Sequence, residues 1–196
     1  MTDADLVARA RDGDVDAFGV LVDRHRRAVH RAALAALGCP GEADDVTQEA
    51  FIQAWYALPR FRGESTVRTW LLAIAWRRAI DRRRSLKRLA ARFLGLDGRR
   101  HDLWPATDEG GPYAPIDENG GSPERQVLVT ELATATRRLV RTLPAPLRDA
   151  LLLAASGQHT MEEIAAMTDT PTGTVKWRVA EARRRLRERL ARLGFP

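Results

Sequence analysis

The chain of 196 residues holds one cysteine, Cys39. No internal disulfide framework is possible, which fits a reducing compartment, and the cytoplasm is the expected location. No uncharged apolar run approaches the roughly 20 residues of a membrane span, so membrane insertion is not expected. Residues 1–14 are acidic and amphipathic, without the apolar core of a secretion signal. Lysine is nearly absent: of 32 basic residues only Lys87 and Lys176 are lysines. No stretch of alternating β-branched residues argues for a strand, and there is no internal repeat. The four histidines and one cysteine form no metal-ligand pattern, so neither metal nor cofactor is expected.

What is present is charge, and it is segregated. The whole chain carries a net charge of +6. Residues 1–57 carry −4, residues 58–100 carry +10, residues 101–124 carry −6 and residues 125–196 carry +6. A basic excess concentrated in two blocks points to a polyanionic partner more strongly than the mild total does.

Residues 95–123 hold 6 of the 14 glycines and 4 of the 10 prolines. Such a stretch sustains neither a helix nor a central strand, and it lacks apolar surface to offset its ordering entropy. We read residues 95–122 as a flexible acidic linker between two small helical domains, residues 1–94 and 123–196. Trp104, Tyr113 and Ile116 stand out within it, either as contacts to a partner or as transient contacts to the chain itself.

Both flanking segments read as helix, so the expected fold class is all-α. Asp14 can cap a helix with Phe18, Leu21, Val22, Val29, Ala33 and Leu37 on its apolar face, stopped by Gly38 and Pro40. A following helix, from about Ala43 to Ala57, aligns Ala43, Val46, Ala50, Ala54 and Leu58. Ser65 or Thr66 then caps a helix with Val67, Trp70, Leu71 and Ile74, which can run to Arg92, roughly 27 residues and about 40 Å. After the linker, Pro123 opens a helix with Leu128, Leu132, Ala135, Leu139 and Leu143 on one face. A short helix over 147–155 follows. Thr160 and Glu163 form a capping box, and Pro171 opens a last helix burying Val175, Val179, Ala182, Leu186 and Leu190.

The last two helices match a helix-turn-helix pattern. Burial of Val175, Val179 and Ala182 leaves Thr172, Thr174, Lys176, Trp177, Ala180 and Glu181 outward, where they can enter a major groove. The helix N-terminus, Arg178, Arg183 and Arg184 can hold phosphates. A solvated amphipathic helix has similar arginines, but Trp177 beside Lys176 on an exposed face favours a partner. In the middle block, residues 58–84 interleave Trp70 and Trp76 with arginines behind a loop containing Phe61. Aromatic faces stack on unpaired bases and arginines track the backbone. Trp70 reads equally well as a core residue. Trp76, between Ala75 and the Arg77-Arg78 pair, is placed with the DNA-facing set.

Residues 41–55 (GEADDVTQEAFIQAW) and 57–81 (ALPRFRGESTVRTWLLAIAWRRAID) resemble the second conserved region of bacterial sigma factors, most closely of the extracytoplasmic-function (ECF) class. Residues 162–190 resemble the fourth region. The resemblance covers about residues 5–90 and 123–192. It implies that Asp44, Asp45, Gln48, Glu49, Phe51 and Trp55 bind the clamp coiled coil of the RNA polymerase β′ subunit. It implies that Arg60, Phe61, Arg62, Ser65, Arg68, Trp70, Trp76, Arg77 and Arg78 capture the minus-ten promoter element. Thr172, Thr174, Lys176, Trp177, Arg178, Ala180 and Glu181 would then read the minus-thirty-five element, while region four touches the β flap. An anti-sigma factor is a further implied partner, and the linker would thread near the RNA path. Four positions depart from the family pattern: Trp76-Arg77 where Arg-Asn is usual, Trp177 where a small Ser is usual, and Glu181 where Arg is common.

Other readings remain. A stand-alone helix-turn-helix repressor would be a dimer on a palindromic site with no need of the DDVTQEAF segment. A metal-dependent nuclease would use Glu42, Asp45 and Glu49, which recur at helical spacing without a His or Cys partner. A decoy that binds only an anti-sigma factor is compatible with the departures at Trp76-Arg77 and Glu181.

Overall fold

The computed structural model describes residues 1–94, 123–157 and 159–195, with the side chains of 91, 93–94 and 123–128 not described. Every reading that falls on residues 95–122, including those of Trp104, Tyr113 and Ile116, lies outside the described residues. Among the described residues there is no strand. The N-terminal half contains α1 (Asp3–Arg11), α2 (Val15–Leu37), α3 (Pro40–Ala57), a single 3₁₀ turn (Leu58–Arg60) and α4 (Val67–Leu94). The C-terminal half contains α5 (Pro123–Arg141), α6 (Ala145–Ala155), α7 (Met161–Thr168) and α8 (Thr172–Arg192).

Local chemistry sets these boundaries. Asp14 accepts a hydrogen bond from the Ala17 amide at 2.9 Å and starts α2. Gly38 ends it in the left-handed conformation, which only glycine adopts without strain. Pro40 does not merely stop α2; it is the first residue of α3, where its missing N–H costs nothing. Thr66 Oγ1 accepts from the Thr69 amide at 3.1 Å and caps α4, which decides between the two expected caps. The capping box of Thr160 and Glu163 forms as the sequence predicts. The turn between α7 and α8 passes through Asp169 at φ 49, a left-handed position that a short polar side chain tolerates.

The N-terminal helices bury Leu6, Leu21, Val29, Ala50, Ala54, Leu58 and Leu71 in one core. In the C-terminal half, Leu143, Leu147 and Leu151 pack on Ala182 and Leu186 of α8. Leu132 departs from expectation: it is 38% exposed, because α5 packs on α8 through its C-terminal part, where Leu139 and Val140 lie.

The two halves are not separate. A third core joins Leu72, Trp76 and Ala79 of α4 and Ala32, Ala33 and Ala36 of α2 to Ala150, Leu153, Ile164, Met167, Val175 and Val179. Helix α7 lies along α4, and α6 touches α2. Ion pairs cross this junction. Arg83 grips Asp149 with both guanidinium nitrogens at 3.0 and 2.9 Å, and Arg68 Nε donates to Glu163 Oε1 at 2.9 Å.

Candidate nucleic-acid and polymerase interfaces

Helix α3 presents one charged face. Positions 45, 48, 49, 52 and 56 fall within a single stripe at helical spacing. Asp44 and Asp45 are 65% exposed, and Gln48 and Glu49 are also exposed. Ile52 and Tyr56 extend the stripe as exposed apolar groups, 51% and 78%. Sequence reasoning did not select them, although the spacing that unites them with Asp45 was legible. Phe51 departs from expectation in being only 7% exposed. Trp55 is half-buried, edge-on to Phe18 at 5.0 Å. Phe51 and Trp55 instead help line a groove of about 690 Å³ between α2 and α3, with Phe18, Val22, Asp45 and Tyr56. The surface therefore combines an apolar groove with carboxylates along it.

The carboxylates of this helix do not gather into a metal-binding group. Glu42 is committed to Arg82, which donates to it at 2.6 Å. That hydrogen bond, helped by the nearby Glu42, Glu49 and Asp45 charges, raises the Arg82 pKa further. Among the described residues no group of three or more His, Cys, Asp or Glu side chains could hold a metal ion.

The loop after α3 and the start of α4 form a second surface. Phe61 stacks on Trp70 with ring centroids 4.8 Å apart, and both are half-buried. Arg60, Arg62 and Ser65 are exposed around Gly63, whose φ of 75° lets the loop turn back. Arg77 and Arg78 are exposed on α4, with Arg78 donating to Gln53 at 2.6 Å. Trp76 does not belong to this surface. It is 4% exposed and lies in the core shared by both halves. The reason is periodicity: positions 72, 76, 79 and 83 share one face of α4, and Arg77 and Arg78 lie on another. Arg68 is half-buried under Glu163.

The third surface is α8. Lys176, Trp177 and Ala180 are exposed on its first turns, Trp177 by 60%, and Thr172 and Thr174 are half-buried beside them. Arg178 turns away, donating to Thr170 Oγ1 at 3.1 Å and lining the groove between the halves. Glu181 also departs from expectation. Its side chain is 13% exposed and is held by Arg184 at 2.8 Å and Arg185 at 2.7 Å. Those hydrogen bonds push its carboxyl down to about 2. A carboxylate committed to two guanidiniums is not presented to a base edge.

Sequence reasoning passed over His159. It is 9% exposed and neither ring nitrogen has a hydrogen-bond partner. Burial pushes it down to about 4; Glu163 opposes the shift and Arg68 reinforces it. The folded chain thus refuses a proton that the unfolded chain accepts below about 6.5. Stability is expected to fall as pH drops from about 6.5 toward 4, by up to roughly 3 kcal/mol, and then to level off with respect to this group. Urea unfolding across this range checks it: His159→Leu should flatten the profile, and an unchanged slope would remove His159 as the cause.

Known proteins match this arrangement. Sigma-70 region 2 matches residues 21–95, and Sigma-70, region 4 matches residues 134–186. The ECF RNA polymerase sigma-E factor of Escherichia coli (strain K12) is 38% identical over 190 residues, covering 93% of this chain and 91% of that protein. The chain belongs to the ECF class of RNA polymerase sigma factors. The RNA polymerase sigma-H factor of Pseudomonas aeruginosa is 35% identical over 184 residues, covering 92% of this chain and 90% of its own. In fold, the sigma factor is similar to CnrH, solved with the cytosolic domain of CnrY, at a TM-score of 0.62 and 24% identity, covering 96% of this chain and 97% of that one. It is likewise similar to the sigma factor RpoE of Bartonella quintana, solved with the anti-sigma factor NepR, at a TM-score of 0.60 and 23% identity, covering 89% and 96%. The protein is therefore a transcription-initiation factor that binds core RNA polymerase and recognises minus-ten and minus-thirty-five promoter elements. No helix among the described residues is long and apolar enough to cross a membrane.

Proposed function

We propose that three surfaces divide the work of this sigma factor and that none performs chemistry. Residues 1–94 form the unit that docks on polymerase and takes the minus-ten element, residues 123–196 form the unit that takes the minus-thirty-five element, and residues 95–122 join them. Asp44, Asp45, Gln48 and Glu49, with Ile52, Tyr56 and the groove edge at Trp55, dock on a basic, partly apolar helical partner, the β′ clamp coiled coil. Arg60, Phe61, Arg62, Ser65, Arg68, Trp70, Arg77 and Arg78 hold the minus-ten strand. Thr172, Thr174, Lys176, Trp177 and Ala180 enter the major groove at minus thirty-five, and region four also meets the β flap. The protein works in the cytoplasm, and a regulator of the anti-sigma class holds it, as RpoE of Bartonella quintana was solved with the anti-sigma factor NepR.

The observation that carries this reading is the segregation of surface chemistry. Exposed carboxylates and apolar groups share one face of α3, exposed cations occupy α4 and α8, and Trp177 is exposed on α8. A stand-alone repressor has no use for the α3 face. The purified chain added to core polymerase should yield run-off transcripts from genomic fragments. Stable polymerase binding without transcripts would replace this reading with the decoy, and absence of polymerase binding would reject it.

Trp177 supplies a narrower expectation. Trp177→Ala should leave polymerase binding unchanged and weaken transcription from promoters that depend on the minus-thirty-five element by about tenfold, within the roughly 1–3 kcal/mol of one base-pair contact. Transcription compared on templates with intact and scrambled minus-thirty-five elements checks it. Equal loss on both templates would take Trp177 out of the reading set.

A further inference from the structure

The outward surface of α8 divides into two stripes of unlike charge. Lys176, Ala180, Arg183 and Arg187 follow one another at helical spacing and line one side of the helix. All four are exposed, and among the described residues no ion pair ties Lys176, Arg183 or Arg187. Trp177, Glu181, Arg184 and Glu188 repeat the same spacing one position on, so their stripe lies about 100° around the axis. There the charges cancel. Arg184 donates through Nε and Nη2 to the two oxygens of Glu181 at 2.9 and 2.8 Å, and through Nη1 to Glu188 at 2.6 Å. Arg185 donates to Glu181 at 2.7 Å.

We propose that Glu181 is a positioning residue that sets which side of α8 meets promoter phosphates. With Glu188 it neutralises Arg184 and Arg185, and so leaves Lys176, Arg183 and Arg187 to face the backbone. The proposal rests on reading α8 as the minus-thirty-five surface. Three features support it. A guanidinium gripped at two points by a carboxylate has the geometry that it would offer a phosphate, so the two acceptors compete for Arg184. The Glu181 side chain is only 13% exposed, so salt screens it less than an open surface pair. A phosphate that reached Arg184 would also lie beside Glu181 and Glu188, and like charges would oppose it.

Phosphate contacts add affinity without sequence information. Each cation withheld from the backbone leaves about one counterion unreleased and lowers sequence-independent binding. Glu181 therefore weakens binding most where no base contact holds the helix in register. Trp177 opens the neutral stripe with apolar surface, which suits a thymine methyl better than a phosphate. The carboxylate thus favours discrimination over affinity without touching a base itself.

The test uses holoenzyme assembled from core polymerase and the full chain. The probe is a fluorescent duplex from a promoter that this holoenzyme transcribes, ending just upstream of the minus-ten element, beside the same duplex with its minus-thirty-five element scrambled. On the scrambled duplex no base contact fixes the roll of α8. There Glu181→Gln should raise affinity and steepen the slope of log affinity against log salt by about one to two. Between about 50 and 200 mM salt that is an extra loss of about three- to tenfold. The intact duplex should gain less, so the ratio of intact to scrambled affinity should fall by about threefold or more. Glu131→Gln, at an exposed position of α5, removes the same charge elsewhere and sets the baseline. Adding Arg184→Gln and Arg185→Gln to Glu181→Gln should return the slope to that of the parent chain.

A slope on scrambled DNA no steeper than that of the Glu131→Gln chain overturns the proposal. So does a gain that survives the loss of Arg184 and Arg185. Arg183→Gln with Arg187→Gln in the parent chain then shows which idea has failed. If that variant makes the slope shallower by about two, α8 faces DNA and only the role of Glu181 falls. If it leaves the slope unchanged, the reading of α8 falls as well.

Discussion

Trp76→Ala should destabilise the sigma factor by about 3–5 kcal/mol, the range for emptying a buried tryptophan site. The indole is 4% exposed and shares its core with Ala28, Ala32, Ala33, Ala36 and Ala79. Alanines cannot reach into the space that it leaves, so the cavity would persist and the loss should fall toward the upper end. Arg77→Ala, one position on and exposed, should change stability by no more than about 0.5 kcal/mol. Equilibrium unfolding in urea distinguishes the two. A tryptophan serving as a stacking platform for DNA would give the opposite pattern, with near-normal stability and defective promoter melting. That outcome would restore Trp76 to the minus-ten surface and contradict its place in the core.

Reversing the charge of the α3 face should have the largest effect on function. Asp45→Arg with Glu49→Arg is expected to weaken core polymerase binding by about a hundredfold, roughly 3 kcal/mol, because like charges would then face each other across the interface. Both side chains are exposed, and the contact of Asp45 with Arg82, at 4.0 Å, is much looser than the 2.6 Å contact of Glu42. Competition between the variant and the parent chain for a limiting amount of core polymerase measures the effect. Glu42 is the instructive contrast. It lies on the same helix but is tied to Arg82 at 2.6 Å, so its replacement disturbs the packing of α3 on α4 and says little about docking. Undiminished competition by the double variant would move the docking surface away from α3.

Much of this architecture was legible because it is local. Asp14, Thr66, Thr160 and Gly38 act on neighbours within four positions, and the apolar faces of α2, α3 and α8 follow from helical spacing alone. The acidic stripe on α3 was legible for the same reason. The errors share one physical origin. Trp76 sits beside two exposed arginines in sequence, yet its side chain points about 100° away from that of Arg77 and about 160° away from that of Arg78 around the helix axis. Its burial depends on α7, which lies far along the chain. Phe51 was grouped with its charged neighbours although its position faces the core. Glu181 was read as free because its partners Arg184 and Arg185 have other plausible uses, and spacing alone does not choose between a phosphate and a neighbouring carboxylate. The junction itself was beyond reach. Arg68 and Glu163 are 95 positions apart and Arg83 and Asp149 are 66 apart, with nothing local to mark either pair.

Glu163 deserves a last consideration because its two oxygens serve different masters. Oε1 takes Arg68 of the N-terminal half, and Oε2 takes the Thr160 amide at 3.0 Å, closing the first turn of α7. A helix of eight residues has little stability of its own and depends on its cap and its packing. Position 68 therefore bears on the ordering of a helix in the other recognition domain. The evolutionary consequence is epistasis. On the proposed division of promoter contacts, substitutions selected for one element alter the background against which the other is read, so the two specificities do not drift independently.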